Sequence, residues 1–320
     1  MFHFLSKNLN LQLALFVLLA IWSAWIVFVQ MTIMPAEGTM MLFQYVAKVW
    51  AWNSYVVRAC VLVMLLATAA ALIQFSHRHH FFENRSYLPG VFLLLLLNCG
   101  KFLTVLSPAL LTVFFIAVTM LVYSPNEQAS KMKDRLFILG LFIAVATMLD
   151  ISAFGIVLFL VMMIAINNVT SFKDILILLI GIAIPYIYAF SIAFISNGLP
   201  AFLQSWRDVD VFVPVRRFTG MRVIEYVALA YFVVVTVMLM LRDKSLLDSK
   251  LIVIRQAFNN VNLLWISMLL FLLLGVVPLP AALVYLTQPV ALYMSVAVSQ
   301  KRYHFVFDFL IVSLCVLLCL

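Results

Sequence analysis

Two carboxylates and a cluster of arginines stand out by position in an otherwise apolar chain. Glu37 lies in the short turn Pro35-Ala36-Glu37-Gly38, and Asp150 interrupts the apolar block Leu136–Asn167. A carboxylate within hydrogen-bond reach of a hydroxyl can take its proton as a general base, so Glu37 and Asp150 are the candidate catalytic residues. The stretch Asn197–Val223 carries Arg207, Asp208, Asp210, Arg216, Arg217 and Arg222, with Trp206, Phe212 and Phe218 between them. Guanidinium groups match phosphate in bidentate fashion, which makes Arg207, Arg216 and Arg217 candidate phosphate-binding residues. Binding of lipid headgroups, or simple solubility, would use the same residue types. Asp208-Val209-Asp210 has the DxD spelling that can offer oxygen ligands to a divalent cation. Two solvated acids beside Arg207 would be spelled the same way. Arg58 and Lys101 lie near the ends of apolar segments. Each either snorkels to the headgroups or turns inward to join the substrate-binding set.

The elements that must position these residues are membrane-spanning helices. The 320 residues are 67% hydrophobic and 10% charged, against about 45–50% and about 25% in ordinary soluble domains. At about 20 residues per crossing, the apolar segments predict about eleven spans. The expected fold is all-α: one integral membrane domain over 1–320, polytopic, with an outer interfacial helix. Little chain is left for a soluble domain, which disfavours nucleic-acid binding, cytosolic metabolism and a disulfide-stapled secreted scaffold. The net charge of +8 is then the basic bias of loops that orient a membrane protein. Cys60, Cys99, Cys315 and Cys319 lie in apolar stretches without a CxxC pair and read as small core residues.

The predicted spans are Leu11–Met34, Ser54–Ser76, two within Leu88–Tyr123 broken at Ser107-Pro108, and two within Leu136–Asn167 broken at Asp150. Ile175–Ser196, Ile224–Leu241, Ala257–Val276, Ala281–Val298 and Phe305–Leu320 complete the set. With the N-terminus in the cytoplasm, the inner loops collect Arg78, Arg85, Lys131, Lys133, Arg135 and most other basic residues, as the positive-inside bias asks. The first outer loop then covers 35–53, and its stretch Thr39–Trp52 reads as the interfacial helix. Met40, Phe43, Ala47 and Trp50 share one face of it, and Gln44 and Lys48 another. The largest outer loop is 197–223. The arms flanking Asp150 are about 14 and about 17 residues, short for a full crossing, so Asp150 is expected in a recess below the headgroups. It is equally suited to cap the helix that follows. The run Ser76–His80, SHRHH, reads as a loop flank, because it lacks metal-ligand spacing. No P-loop, GxGxxG, HExxH or defensible Ser-His-Asp order occurs.

Two resemblances follow from these features. The segments SPALLTVFFIAVTML (Ser107–Leu121), LFILGLFIAVATML (Leu136–Leu149) and FKDILILLIGIAIPY (Phe172–Tyr186) resemble an uncharacterised family of bacterial multi-pass inner-membrane proteins, with no activity attached. The layout as a whole is similar to the GT-C class of membrane glycosyltransferases. That resemblance implies a polyprenyl-phosphate-linked sugar donor, an acidic catalytic residue in the first outer loop at Glu37, interfacial helices at Gln44–Trp52, and lipid-phosphate binding by Arg207, Arg216 and Arg217. The chain departs from the pattern by carrying a single Glu where an Asp with an acidic neighbour is usual, and by lacking a large C-terminal outer domain. The expected function is a transferase at the outer face of the bacterial inner membrane, serving envelope glycan or glycoconjugate assembly, with membrane lipids as surroundings. A divalent cation is the one cofactor the residues suggest. The alternatives are a non-catalytic membrane subunit of an envelope assembly machine, with membrane-protein partners, and a transporter or flippase for a lipid-linked substrate.

Overall fold

A computed structural model of the protein describes residues 8–34, 40–82, 85–99, 102–122, 129–154, 172–195, 199–200, 202–203, 230–241, 252–273, 279–299 and 312–313. These residues are overwhelmingly helical. Among the described residues, four helices are long and apolar enough to cross a membrane: Leu9–Gln30, Ser54–Arg78, Lys173–Ile195 and Pro280–Ser299. Shorter apolar helices cover Leu88–Cys99, Pro108–Val122 and Ala230–Leu241. The last predicted span, Phe305–Leu320, and the arm following Asp150 lie almost wholly outside the described residues.

Helix α1 (Leu9–Trp25) continues into one π-type turn, Ile26–Gln30. That turn is closed by the Met31 amide donating to the Ile26 carbonyl at 3.0 Å. Strand β1 (Thr32–Ile33), α2 (Met41–Trp52) and α3 (Ser54–Arg78) follow. Asn53 starts α3 by accepting from the Tyr55 and Val56 amides, two donors the first turn leaves without partners. Helices α4 (Leu88–Cys99) and α5 (Pro108–Val122) flank strand β2 (Val105–Leu106). The break expected at Ser107-Pro108 is present, with Pro108 in the first helical position, where its missing N–H loses nothing. Ser107 Oγ accepts from the Leu110 amide at 3.3 Å.

Helix α6 spans Ala129–Leu149. It is 21 residues long, which corrects the expectation of a short arm before Asp150. Lys133 and Arg135 are good helix formers, so the helix continues through residues that polarity alone assigns to a loop. Helices α7 (Phe172–Ile195), α8 (Ala230–Leu241), α9 (Ile252–Leu273) and α10 (Leu279–Ser299) complete the described elements.

The centre is α4 and α10. Every residue of α4 except Leu95 is buried, between α1, α3 and α10. Helix α10 packs in turn on α4, α5 and α9. Helix α7 lies against α6, at a crossing that only glycine permits. A Cβ added at Gly140 would fall 2.5 Å from the Leu178 carbonyl oxygen, and one at Gly181 would fall 2.4 Å from that of Phe137. Small residues that let backbones touch are the usual means of helix association where lipid, not water, is the surrounding solvent. Buried polar side chains bridge helices in the same interior. Asn98 Nδ2 donates to Ser23 Oγ at 2.8 Å, and the Tyr293 hydroxyl donates to Asn262 Oδ1 at 2.8 Å.

Candidate functional site

Four separate pieces of chain are joined by hydrogen bonds at the end of the bundle that carries β1, α2, β2 and Asp150. Strands β1 and β2 pair in parallel, Thr32 opposite Val105 and Ile33 opposite Leu106. The Thr32 amide donates to the Thr104 carbonyl at 2.9 Å and the Met34 amide to the Leu106 carbonyl at 3.1 Å. The chain entering the Glu37 turn is therefore fixed to the chain entering α5. Helix α2 packs on α3 and α6 with the face the sequence predicts: Met40 and Phe43 are buried, Ala47 and Trp50 half-buried, and Lys48 exposed. A stripe of this kind follows from apolar residues three and four apart on a helix.

Asp150 is half-buried and acts as the cap that its position allows. Its Oδ1 accepts from the Ser152 amide at 2.9 Å, capping the 3-10 turn Ile151–Ala153. Its Oδ2 accepts from the Tyr285 hydroxyl at 2.5 Å. Tyr285 is fully buried on α10, and its hydroxyl also meets the side chain of Thr112 on α5. The single hydroxyl proton of Thr112 is shared between the Tyr285 oxygen and the Pro108 carbonyl, which lies 3.0 Å from Oγ1. A polar line thus runs from the β2–α5 junction through Thr112 and Tyr285 to Asp150. A carboxylate has about four lone-pair sites. Two accepted bonds leave the group able to accept from a further hydroxyl.

Arg58 lies at the same end, and its guanidinium reaches α1. Nη1 donates to the Phe28 carbonyl at 2.5 Å and Nη2 to the Met31 carbonyl at 3.1 Å. The group stands 5.2 Å from the Trp50 ring centre and 5.9 Å from that of Tyr55. The last carbonyls of a helix lack amide partners and carry its negative partial charge, so a cation is favoured there. Arg58 thereby ties α3 to the end of α1, with the Trp50 ring of α2 beside the guanidinium.

Glu37, Lys101, Arg207, Arg216, Arg217, Asp208 and Asp210 lie outside the described residues, so only Asp150 and Arg58 of the predicted site can be placed. Among the described residues no three His, Cys, Asp or Glu side chains converge as a metal site. The sequence reading missed Tyr285 and Thr112. No local pattern marks them, because Tyr285 is 135 positions from the carboxylate it holds.

The histidine run at the opposite end is more organised than a loop flank. His77 is on α3, and His79 is its C-cap. His79 is buried against the Phe75 ring at 4.6 Å. Burial first, then the charges of Arg78 and the neighbouring His80, lowers the His79 pKa to about 4. His80 stands in the left-handed region at φ 52°. Its amide bonds to the His77 carbonyl and that of Phe81 to the Ser76 carbonyl, the paired closure of a Schellman motif in which glycine is usual at this position.

No protein-family model, curated protein or solved structure matches this chain.

Proposed function

We propose that this chain is an integral membrane transferase of GT-C-like organisation, acting at its outer face on a sugar carried by a polyprenyl phosphate. Asp150 is the described carboxylate that would serve as general base for the acceptor hydroxyl. The observation that supports this reading is the line Thr112–Tyr285–Asp150 at the end where β1 and β2 pair. It gives a half-buried carboxylate a fixed orientation, and a general base needs fixed geometry before it needs a tuned pKa. The Tyr285 hydroxyl keeps the carboxylate pointing one way while leaving it lone pairs for a substrate. Glu37 would stand on the turn that follows β1, and Arg207, Arg216 and Arg217 would hold the departing phosphate.

The test is sugar incorporation from a polyprenyl-phosphate donor into envelope glycans, comparing the natural chain with Glu37→Gln and Asp150→Asn. Asparagine caps helices as well as aspartate does, so Asp150→Asn keeps the Ser152 bond while removing the base, and its Nδ2 donates to the Tyr285 oxygen in place of accepting from it. Loss of incorporation by about a hundredfold or more at unchanged protein level is expected for at least one variant. Full incorporation in both would remove the enzymatic reading. What would then stand is a non-catalytic membrane subunit, a reading favoured by one observation. Helix α7 leaves Leu179, Ile180, Ile187, Phe194 and Ile195 exposed along its length, a face suited to a partner helix as well as to lipid.

A further inference from the structure

We infer that the groove between α1 and α3 at the His77–Arg85 end is a binding site for an anionic phospholipid. The groove has a volume of about 670 Å³ and is lined in two zones. Leu13, Phe16, Ala70 and Ile73 form an apolar wall, and His77, His80 and Arg85 stand at the rim. The two zones follow the chain's own geometry. Leu13 is near the beginning of the first long apolar helix and His77 near the close of the second, so the wall lies inside the apolar layer and the rim at its edge. An acyl chain fits the first zone and a phosphodiester the second.

Three observations show a built site and not a gap between helices. The segment Ser86–Tyr87 is docked from both sides: Gln12 Oε1 on α1 accepts from Ser86 Oγ at 3.2 Å and from the Tyr87 amide at 2.8 Å. His77 Nε2 on α3 meets the Ser86 backbone, 2.9 Å from its amide and 3.1 Å from its carbonyl. The rim is therefore pre-formed, as binding sites generally are. Second, His80 occupies a left-handed backbone position that a glycine would fill without strain. An imidazole held there against backbone preference points to a use for the side chain. Third, the charge is complementary to one occupant. The stretch Ser76–Leu88 carries Arg78 and Arg85 against the single acid Glu83, and basic residues at the membrane edge attract anionic headgroups. Arg85 supplies a fork that matches phosphate oxygens.

The experiment is native mass spectrometry of the purified full-length chain in detergent, supplied with equal amounts of phosphatidylglycerol and phosphatidylcholine of the same acyl chains. The natural chain is expected to retain phosphatidylglycerol about fivefold over phosphatidylcholine. The variants Arg85→Gln and His80→Gly are each expected to erode that preference, and the pair to abolish it. His80→Gly installs the residue the turn prefers, so loss of folding does not explain its effect. Ala70→Phe fills the apolar wall without changing charge and is expected to reduce retention of both lipids. Inorganic phosphate at millimolar concentration is expected to leave the retained phosphatidylglycerol unchanged. Equal retention of the two lipids overturns the inference, and so does a preference that persists in the double variant. Displacement by inorganic phosphate, or indifference to Ala70→Phe, overturns the lipid as occupant and leaves a site for a free phosphate group.

Discussion

The apolar stretch of α7 has a mean hydropathy of 2.4 and is 11% buried, whereas that of α10 has a mean hydropathy of 1.6 and is 94% buried. Both are of similar length and both contain a proline, Pro185 in one and Pro289 in the other. In water the order would be reversed, since burial is driven by apolar area. Here the more polar helix is the central one. Lipid solvates leucine as well as protein does, so burial brings an apolar side chain little. Hydroxyls and amides do gain, because only the interior offers them partners. Tyr285, Gln288 and Tyr293 of α10 each bond to another helix or to the Asp150 turn. Helix α7 faces outward with aliphatic and aromatic residues and touches α6 closely where Gly181 meets Gly140.

The contrast is broken most severely by cutting volume from α10. Leu292 is fully buried, and Leu292→Ala is expected to lower stability by about 2–5 kcal/mol. Phe194 of α7 is 64% exposed, and Phe194→Ala is expected to stay within about 0.5 kcal/mol of the natural chain. Denaturant midpoints in mixed micelles measure both. Equal losses would show that α7 is covered in the folded protein and that its exposure belongs to the isolated chain only.

This contrast also marks where sequence reading succeeds and where it stops. The helix-breaking chemistry of Ser107-Pro108 and the capping capacity of Asp150 are properties of adjacent residues, and both are found where the sequence places them. The amphipathic stripe of α2 is legible for the same reason, a period of three to four residues. The apolar spans are recognisable as spans, yet their hydropathy does not say which lies at the centre. It ranks α7 above α10. The partners of Asp150 and Arg58 were equally hidden. Arg58 reads as a residue that snorkels or turns to a ligand, and its carbonyl partners exist only because α1 ends in a π-type turn beside it. The start of α6 was misplaced because lysine and arginine look like loop by polarity and behave as helix by propensity.

A smaller effect sharpens the comparison at the junction of α10 with the candidate site. Tyr285→Phe keeps the ring packed and removes only the hydroxyl, leaving Asp150 Oδ2 without its donor and the Thr112 side chain without its contact. A loss of about 1–3 kcal/mol is expected, the range for stranding a partly buried acceptor. The same variant should reduce sugar incorporation less than Asp150→Asn does, because it loosens the carboxylate without removing it. Thermal unfolding in detergent and the incorporation assay read the two effects separately. Unchanged stability would mean that the hydroxyl does not hold Asp150, and the structural support for its role as base would fall with it.

An effect smaller than that of Tyr285→Phe is expected one turn further along the same helix. Gln288 Nε2 donates to the Val113 carbonyl at 2.5 Å, while its Oε1 is buried with no hydrogen-bond partner. Removing the side-chain amide therefore has two opposed consequences. The bond to Val113 is lost, worth about 1 kcal/mol, and a stranded acceptor that costs about 1–3 kcal/mol is relieved. Gln288→Met conserves length and fills the same space with a flexible apolar chain. The two terms nearly cancel, so the midpoint should move by no more than about 1 kcal/mol in either direction. Tyr285 and Gln288 thus separate two kinds of buried polar residue on one central helix. A loss above about 2 kcal/mol for Gln288→Met, measured beside Tyr285→Phe in the same micelles, would show that the Oε1 is satisfied in the membrane and that every polar group of α10 is part of one closed network.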